Sequence, residues 1–198
     1  MRNPFLNLYD FFMSPLEKLR FQKIRKELLA KANGNVLELG SGTGINFPLY
    51  EHAESVIAIE PNQKMIVRSK LRKQRANVPI EIIKASGERL PFDDSTFDTV
   101  VSTLVFCTIS DVEKAMNEIK RVCKPGGKVL LFEHVLMDNL FLSNLQNWLT
   151  PAWKRICDGC CLNRDTLGLV NRQGFCVVKV ERYFKGLFIV IVARNNHS

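Results

Sequence analysis

The sequence predicts an α/β domain in which a mostly parallel sheet carries helices on both faces. Short apolar strands alternate with segments of helical periodicity between residues 35 and 133, and parallel strands joined by helices produce this order. The first strand, Val36–Leu39, runs directly into a turn with glycine at every second position, Gly40 to Gly44. Glycine permits a positive φ and a close approach of the backbone to a ligand. These two observations place a ligand site at the carboxyl edge of the sheet.

Size and composition are those of one globular domain. The chain has 198 residues and a net charge of +8, with 46% hydrophobic and 24% charged residues. The positive charge is spread along the chain, except for a basic stretch at 68–75 that we assign to the exposed face of a helix. We therefore do not expect a nucleic-acid partner.

Cysteine usage and the lack of long apolar runs predict a cytoplasmic protein with reduced thiols. The sequence contains six cysteines, no recognisable secretory signal and no apolar run near the roughly 20 residues that span a bilayer. Cys157 and Cys160 form a C-x-x-C without a second pair, so we expect no metal site. We interpret the adjacent Cys160 and Cys161 as buried thiols.

Residues 1–34 are predicted to form a helical N-terminal unit. Apolar spacing predicts helix from Asn3 to Ala32, with a break and restart at Ser14-Pro15. Asn33-Gly34 ends the helix. We interpret this unit as a lid over the ligand site, with peripheral contact to a membrane surface as the alternative.

Residues 35–198 are predicted to form the main unit of what is one structural domain overall. Strands are expected at Val36–Leu39, Val56–Glu60, Ile80–Ala85, Phe97–Phe106 and Lys128–Glu133. Helices are expected at Asn46–Tyr50, Asn62–Gln74, Asp111–Val122 and Asn139–Arg155, with a turn at Pro125-Gly126-Gly127. Two final strands, Val177–Tyr183 and Leu187–Ala193, predict an antiparallel hairpin at the sheet edge.

The glycine turn indicates a nucleoside ligand without phosphate groups. Its spacing is G-x-G-x-G, which differs from the dinucleotide pattern, and no Lys-Ser/Thr pair follows it. Glu60 ends the second strand about twenty residues after the glycines, where an acid can accept bonds from both ribose hydroxyls. Ser86-Gly87-Glu88 follows the third strand and is predicted to border the adenine ring.

Four motifs in this order resemble those of class I S-adenosylmethionine-dependent methyltransferases. They are Leu37–Gly44, Glu60-Pro61-Asn62, Gly87–Phe92 with Phe97-Asp98, and Arg121–Gly127. The resemblance runs from Asn35 to Glu133. It implies a Rossmann-like fold with a seven-stranded, mostly parallel sheet, an enzyme, and S-adenosylmethionine as the cofactor, with S-adenosylhomocysteine as its product.

The resemblance also implies a set of cofactor-binding residues. Glu38 would hold the α-amino group, Met65 would pack on the adenine, and Leu104 would offer its carbonyl to the amino group. Ser86 stands where many relatives carry Asp, and a neutral acceptor binds the adenine amine less strongly. The implied set is Tyr9, Glu38, Gly40, Ser41, Gly42, Gly44, Asn46, Glu60, Pro61, Met65, Ser86, Gly87, Glu88 and Leu104.

Three further segments are similar to the small methyltransferase group that includes mammalian alkyl-thiol methyltransferases. They are Thr103–Cys107, Glu133-His134-Val135, and Pro151–Lys154 followed by Asp158–Arg164. This similarity implies a small apolar acceptor, preferably a thiol. A quinone-ring carbon and a lipid amine are the alternatives, and a non-catalytic S-adenosylmethionine-binding partner subunit is an alternative of another class. We expect a monomer or a homodimer.

Two residues are candidates for acid–base work. Transfer from a sulfonium mostly needs proximity and orientation, and a base is needed only when the nucleophile arrives protonated. His134 follows the fifth strand at the ligand edge and is the candidate base, with a strand cap as its structural alternative. Asp158 is the second candidate, either orienting His134 or shaping the pocket, with a turn cap as its alternative.

Overall fold

The computed structural model describes residues 20–156 and 159–196 and confirms the predicted fold class. One seven-stranded sheet has the order β3-β2-β1-β4-β5-β7-β6. Strands β1 to β5 pair in parallel, and β7 runs antiparallel to both of its neighbours. The strands are β1 Gly34–Leu39, β2 Ala53–Ile59, β3 Ile80–Ile83, β4 Phe97–Thr103, β5 Cys123–His134, β6 Cys176–Tyr183 and β7 Phe188–Arg194.

Helices cover both faces of this sheet, as predicted. Met116 and Leu169 lie in one apolar cluster, whereas Ile24 and Leu28 lie in a second cluster formed around other strand residues. The described α-helices are α1 Gln22–Leu29, α2 Gln63–Lys73, α3 Val112–Val122, α4 Leu140–Ile156 and α5 Thr166–Arg172. Because neighbouring strand residues point to opposite faces, each cluster draws on alternate positions of the same strands.

Side-chain caps explain where three of these helices begin. The side chain of Asn62 accepts a bond from the amide of Lys64 before α2. Asp111 caps α3 in the same way, and Asp165 caps α5 through the amide of Gly168. Such caps satisfy amides that have no partner within the helix. The predicted starts of α2 and α3 are therefore confirmed, whereas α5 was not predicted from the sequence.

Strand β4 is shorter than predicted. It ends at Thr103 rather than at Phe106, because Leu104 takes a φ of +59° and turns the chain out of the sheet. The predicted helix at 46–50 is also shorter, and only a single 3₁₀ turn forms at Phe47–Leu49. The amide of Phe47 there bonds to the carbonyl of Gly44 at 3.1 Å, which is a three-residue step rather than an α-helical one.

The closing hairpin is confirmed at the sheet edge. Strands β6 and β7 pair antiparallel, and β6 is the outermost strand, with Lys179 and Arg182 along it. The 3₁₀ turn Phe184–Gly186 joins the two strands, and its three residues all have positive φ. The predicted turn at 125–127 lies within β5, where the register with β4 shifts.

Helix α1 and the residue before it belong to the core. Phe21 is fully buried, and its ring meets Phe132, Phe184 and Phe188 at centroid distances of 5.3, 5.7 and 4.8 Å. The interpretation of residues 1–34 as a lid stays a prediction, because residues 1–19 lie outside the described part of the chain. Across 20–156 and 159–196, no helix combines the length and apolarity needed to cross a membrane.

The strand order fixes where a ligand can bind. The chain leaves β1 toward β2 on one side of the sheet, and later returns to β4 on the other side of β1. At such a switch point, the loops after the two strands part and leave a crevice at their carboxyl ends. The glycine turn after β1 and the chain reversal at Leu104 after β4 face each other there.

Candidate active site

A cavity of about 450 Å³ lies at the carboxyl ends of β1, β2 and β4. This volume is within the range of small-molecule sites. One side is formed by the glycine turn, residues 59–62, Met65 and the loop 86–88. The other side, here called the β4-side wall, consists of Leu104, Val105, Cys107, Thr108, Ile109, Ser110, Ile156 and Cys160.

The three glycines of the turn have different structural roles. A Cβ on Gly40 would lie 2.6 Å from a methyl of Val105, so the turn packs directly on the β4-side wall. A Cβ on Gly44 would lie 2.6 Å from the ring of Phe47. Gly42 lines the cavity and faces open space, since the nearest atom to its added Cβ is the carbonyl oxygen of Gly40 at 4.0 Å. Packing requires the outer glycines, while the middle one leaves room for a ligand.

Glu60 is fixed at the rim of this turn. Its Oε2 accepts a bond from the amide of Gly42 at 2.9 Å, and its Oε1 accepts one from the amide of Asn62 at 2.9 Å. A carboxylate oxygen has more than one acceptor position. Glu60 can therefore hold the turn and still accept bonds from ligand hydroxyls.

A buried polar network supports the turn from behind. Glu38 accepts bonds from the side-chain amide of Asn46 at 2.8 Å and from the hydroxyl of Tyr50 at 2.9 Å. Burial raises the pKa of Glu38 to about 7. The guanidinium of Arg25 donates to Asn46 Oδ1 at 3.0 Å and to Thr103 Oγ1 at 2.5 Å, which links α1 and β4 to the network.

A second buried carboxylate holds the β4-side wall. Glu133 accepts bonds from the hydroxyl of Ser102 at 2.8 Å and from the amides of Val105 and Phe106 at 3.0 and 3.1 Å. Because the chain turns away at Leu104, these amides lie beyond the end of β4, and the carboxylate accepts their hydrogen bonds instead. Burial raises the pKa of Glu133 to about 7.

The loop after β3 is tied to the start of α3. Glu88 Oε1 accepts a bond from the amide of Asp111 at 2.7 Å. The amide of Glu88 donates to Ser86 Oγ at 3.3 Å, so the loop closes on itself. Both residues line the cavity beside Gly87.

The structure brings most of the predicted cofactor residues to the cavity. Those that line it are Gly40, Gly42, Glu60, Pro61, Met65, Ser86, Gly87, Glu88 and Leu104. Glu38 and Asn46 belong to the network behind the turn, Gly44 packs on Phe47, and Ser41 is buried in the turn itself. These four do not line the cavity. Tyr9 and Asp158 lie outside the described residues, so their roles stay predictions.

His134 does not line the cavity either. It stands at the end of β5 with its ring centroid 5.5 Å from that of Phe188. Its Nδ1 is buried without a hydrogen-bond partner in the described part of the chain, and burial lowers the pKa of His134 to about 4. The imidazole is therefore neutral at pH 7, and its role as a base stays a prediction.

Sequence reasoning missed two kinds of site residue. Ile156 and Cys160 reach the cavity from a distant part of the chain, and although Cys160 stands in a segment similar to the thiol methyltransferase group, that similarity assigned it no place at the site. Arg25 lies on the apolar stripe of α1 between Phe21 and Leu28, where a charged residue predicts a buried polar partner. That departure from the pattern could have identified it.

The lining chemistry fits an adenosyl donor without phosphates. Among the described residues that line the cavity, the charged side chains are the carboxylates of Glu60 and Glu88, with no Lys or Arg. A pyrophosphate would meet like charge there, whereas a sulfonium or an ammonium group is attracted.

Comparison with known proteins agrees with this chemistry. A family model described as a methyltransferase domain matches residues 37–131. The chain is 36% identical over 189 residues to thiol S-methyltransferase TMT1B of Rattus norvegicus, covering 87% of this chain and 77% of that protein. It is 31% identical over 133 residues to a phosphatidylethanolamine N-methyltransferase of Cereibacter sphaeroides, covering 66% and 65%. The crystal structure of an Aquifex aeolicus S-adenosylmethionine-dependent methyltransferase has the same fold, with a TM-score of 0.66, 22% identity and 96% of each chain covered.

The fold and the cavity define a methyltransferase of class I. The chain belongs to the class I S-adenosylmethionine-dependent methyltransferase family, in the group that contains the thiol S-methyltransferases. It is therefore an enzyme with S-adenosylmethionine as its cofactor, rather than a non-catalytic binding subunit. When bound, the cofactor supplies an activated methyl group on a sulfonium.

Replacing Gly40 with alanine tests the packing of the turn. Gly40 and Gly126 both have positive φ, +59° and +72°, but a Cβ on Gly126 meets nothing within 4 Å. Both substitutions carry the backbone cost of roughly 1–2 kcal/mol. We expect Gly40→Ala to lose roughly a further 1–3 kcal/mol in urea unfolding, because Val105 must move. Equal losses in the two variants would contradict this role of Gly40.

Replacing Glu133 with glutamine tests the buried carboxylate through its pH dependence. The pKa of Glu133 is raised from 4.5 to about 7, so between these values the folded protein holds a proton that the unfolded chain has released. The stability that this group contributes is full below pH 4.5 and is lost as the pH rises through 7. The wild type therefore loses roughly 3 kcal/mol across this window that Glu133→Gln does not lose.

The measurement is urea unfolding of both proteins at about pH 5 and about pH 8. Contributions from Glu38 and His134 are common to both proteins and cancel in the comparison. The same substitution at the exposed Glu54 is the control, and we expect its unfolding free energy to follow the wild type at both pH values. If the difference in unfolding free energy between the wild type and Glu133→Gln were independent of pH, the raised pKa of Glu133 would be contradicted.

Proposed function

We propose that this enzyme transfers the methyl group of S-adenosylmethionine to a small apolar thiol. The observation that carries the proposal is the identity to thiol S-methyltransferases along most of the chain. TMT1B of Homo sapiens and of Rattus norvegicus are 30% and 36% identical to it over 86% and 87% of its length. The thiol acceptor is thus supported by relatives that match both halves of the domain.

The β4-side wall supports an apolar acceptor. Leu104, Val105, Ile109 and Ile156 give it an aliphatic surface, and its polar members are hydroxyl and thiol groups. Such a wall offers an alkyl group a contact surface and keeps water from the nucleophile. Its described members include no Lys, Arg, Asp or Glu that could pair with a charged group on the acceptor.

The chemistry asks little of the protein beyond positioning. Displacement at the methyl of a sulfonium gains most from holding the two reactants in line. The Gly40–Val105 contact fixes the turn against the β4-side wall, so donor and acceptor surfaces keep a constant separation. A free thiol ionises near pH 8.5, and a modest shift of its pKa yields the reactive thiolate.

A lipid amine is the second candidate acceptor. The phosphatidylethanolamine N-methyltransferase of Cereibacter sphaeroides is 31% identical over 66% of this chain. That match is shorter than the match to the thiol enzymes, and it omits a third of the domain. A quinone-ring carbon stays a prediction from the sequence alone.

A competition assay with methyl-labelled S-adenosylmethionine tests the acceptor. The candidates are a short alkyl thiol, the alcohol with the same carbon chain, phosphatidylethanolamine vesicles and a demethylated quinone. We expect label on the thiol sulfur and none on the alcohol, which is similar in shape but ionises far less readily. Label on the lipid amine or the quinone ring in the absence of thiol methylation would refute the proposal.

Thiols of different acidity test whether His134 acts as the base. If His134 removes the proton, His134→Gln slows methylation of a thiol of high pKa about tenfold or more. A thiol that is already ionised at the assay pH needs no base, and we expect its rate to change little. Equal rate losses for both thiols would assign His134 a structural role at the end of β5.

A further inference from the structure

Two cysteines from distant parts of the chain meet in the β4-side wall. Cys107 follows β4 and is buried, and Cys160 follows α4 and is partly exposed to the cavity. The amide of Cys161 donates to the carbonyl of Cys107 at 2.7 Å, which holds the two segments side by side. Both thiols are free, and both residues line the same cavity.

Several donors surround the sulfur of Cys160. The thiol of Cys107 and the indole of Trp153 are its side-chain partners, and the guanidinium of Arg164 lies nearby. Together they lower the pKa of Cys160 to about 7 against the cost of burial. The pKa of Cys107 is raised, first by its bond to Cys160 and then by burial. One thiol is thus prepared as an attacking thiolate and the other as its protonated neighbour.

We propose that Cys107 and Cys160 form a redox-active dithiol, which a small-molecule disulfide entering the cavity oxidises to an intramolecular bridge. Their shared position in the cavity wall and the backbone bond that holds their two segments side by side carry this proposal. It differs from the sequence interpretation, in which Cys160 and Cys161 were both buried thiols. The proposal does not depend on which acceptor the enzyme methylates.

The exchange takes two balanced steps. The Cys160 thiolate attacks one sulfur of the disulfide RS–SR, a mixed disulfide forms on Cys160, and RS⁻ leaves and takes up a proton. The Cys107 thiol then loses its proton and attacks the Cys160 sulfur, and the second RS⁻ leaves and is protonated. The protein dithiol is oxidised by two electrons, and one RS–SR is reduced to two RSH.

The remaining described cysteines are poorly placed for this reaction. The Cys161 thiol is buried and donates to the carbonyl of Gly159 at 3.6 Å. Cys123 lies at the start of β5, and burial raises its pKa to about 12. Cys176 is exposed on the edge strand, away from the cavity wall. These positions supply controls within the same chain.

The test uses the full chain, reduced and then exposed to 2-hydroxyethyl disulfide, with free thiols blocked and the peptides mapped by mass spectrometry. We expect a bridge between the Cys107 and Cys160 peptides as the main product. The rate at which it forms should reach half of its maximum at about pH 7. In Cys107→Ser the mixed disulfide on Cys160 accumulates, because no second thiol resolves it. In Cys160→Ser the cavity acquires neither the bridge nor the adduct.

Matched variants separate this pair from general thiol reactivity. Cys161→Ser and Cys176→Ser are expected to form the Cys107–Cys160 bridge at the wild-type rate. Bridges to Cys161, or adducts confined to the exposed Cys176, would overturn the proposal. Mapping of the wild-type protein decides by itself, so a variant that fails to fold leaves the test intact. The acceptor assay is a separate measurement, so either proposal can fail alone.

Discussion

The hydrogen bonds that the buried side chain of Glu133 accepts are the constraint on which the active site depends. Leu104 has a φ of +59° and turns the chain away from the sheet, so the next two amides need a partner. A buried carboxylate at the end of β5 supplies it, and Ser102 completes the set. Removing such a partner would leave buried donors unsatisfied, at a cost of roughly 1–3 kcal/mol each. The position of Val105, and with it the packing on Gly40, follows from this arrangement.

The two buried carboxylates divide the work around the cofactor. Glu38 holds the segment that follows the glycine turn through Asn46 and Tyr50, and Glu133 holds the loop after β4. Both carboxylates accept hydrogen bonds from donor groups buried beside them. The cavity between them can therefore stay open and largely apolar, because the polar groups that shape it are paired behind its surface.

Much of the fold was predictable from the sequence because its evidence is local. Alternating apolar strands, the glycine turn and the helix starts at Asn62 and Asp111 are each indicated within a few residues, and the structure confirms them. The end of β4 was predicted wrongly, since the apolar residues 104–106 continue the strand pattern while Leu104 turns the chain. That turn depends on Glu133, about thirty residues later, so no local pattern reports it.

Site residues that follow the ends of strands were predictable from the sequence. Site residues that distant segments bring together were not. Glu60, Gly40 and Gly42 were predicted from their places at strand ends, and they line the cavity. Glu38 and Asn46 were assigned to the cofactor, and because their side chains bond to each other behind the turn, their contact with the cofactor stays a prediction. Cys160 reaches Cys107 only through tertiary packing, which the spacing of single residues does not encode.

The charged character of β6 bears on how the molecule behaves in a crowded solution. Within residues 20–156 and 159–196, this outermost strand leaves a row of backbone donors and acceptors without a neighbouring strand. Lys179 forms an ion pair with Glu181 at 2.8 Å, and Arg182 pairs with Asp138 at 3.4 Å. A foreign chain that added itself alongside would have to strip water from these charges. The charged edge strand β6 thus opposes the addition of strands from other molecules, and with it aggregation through the sheet edge.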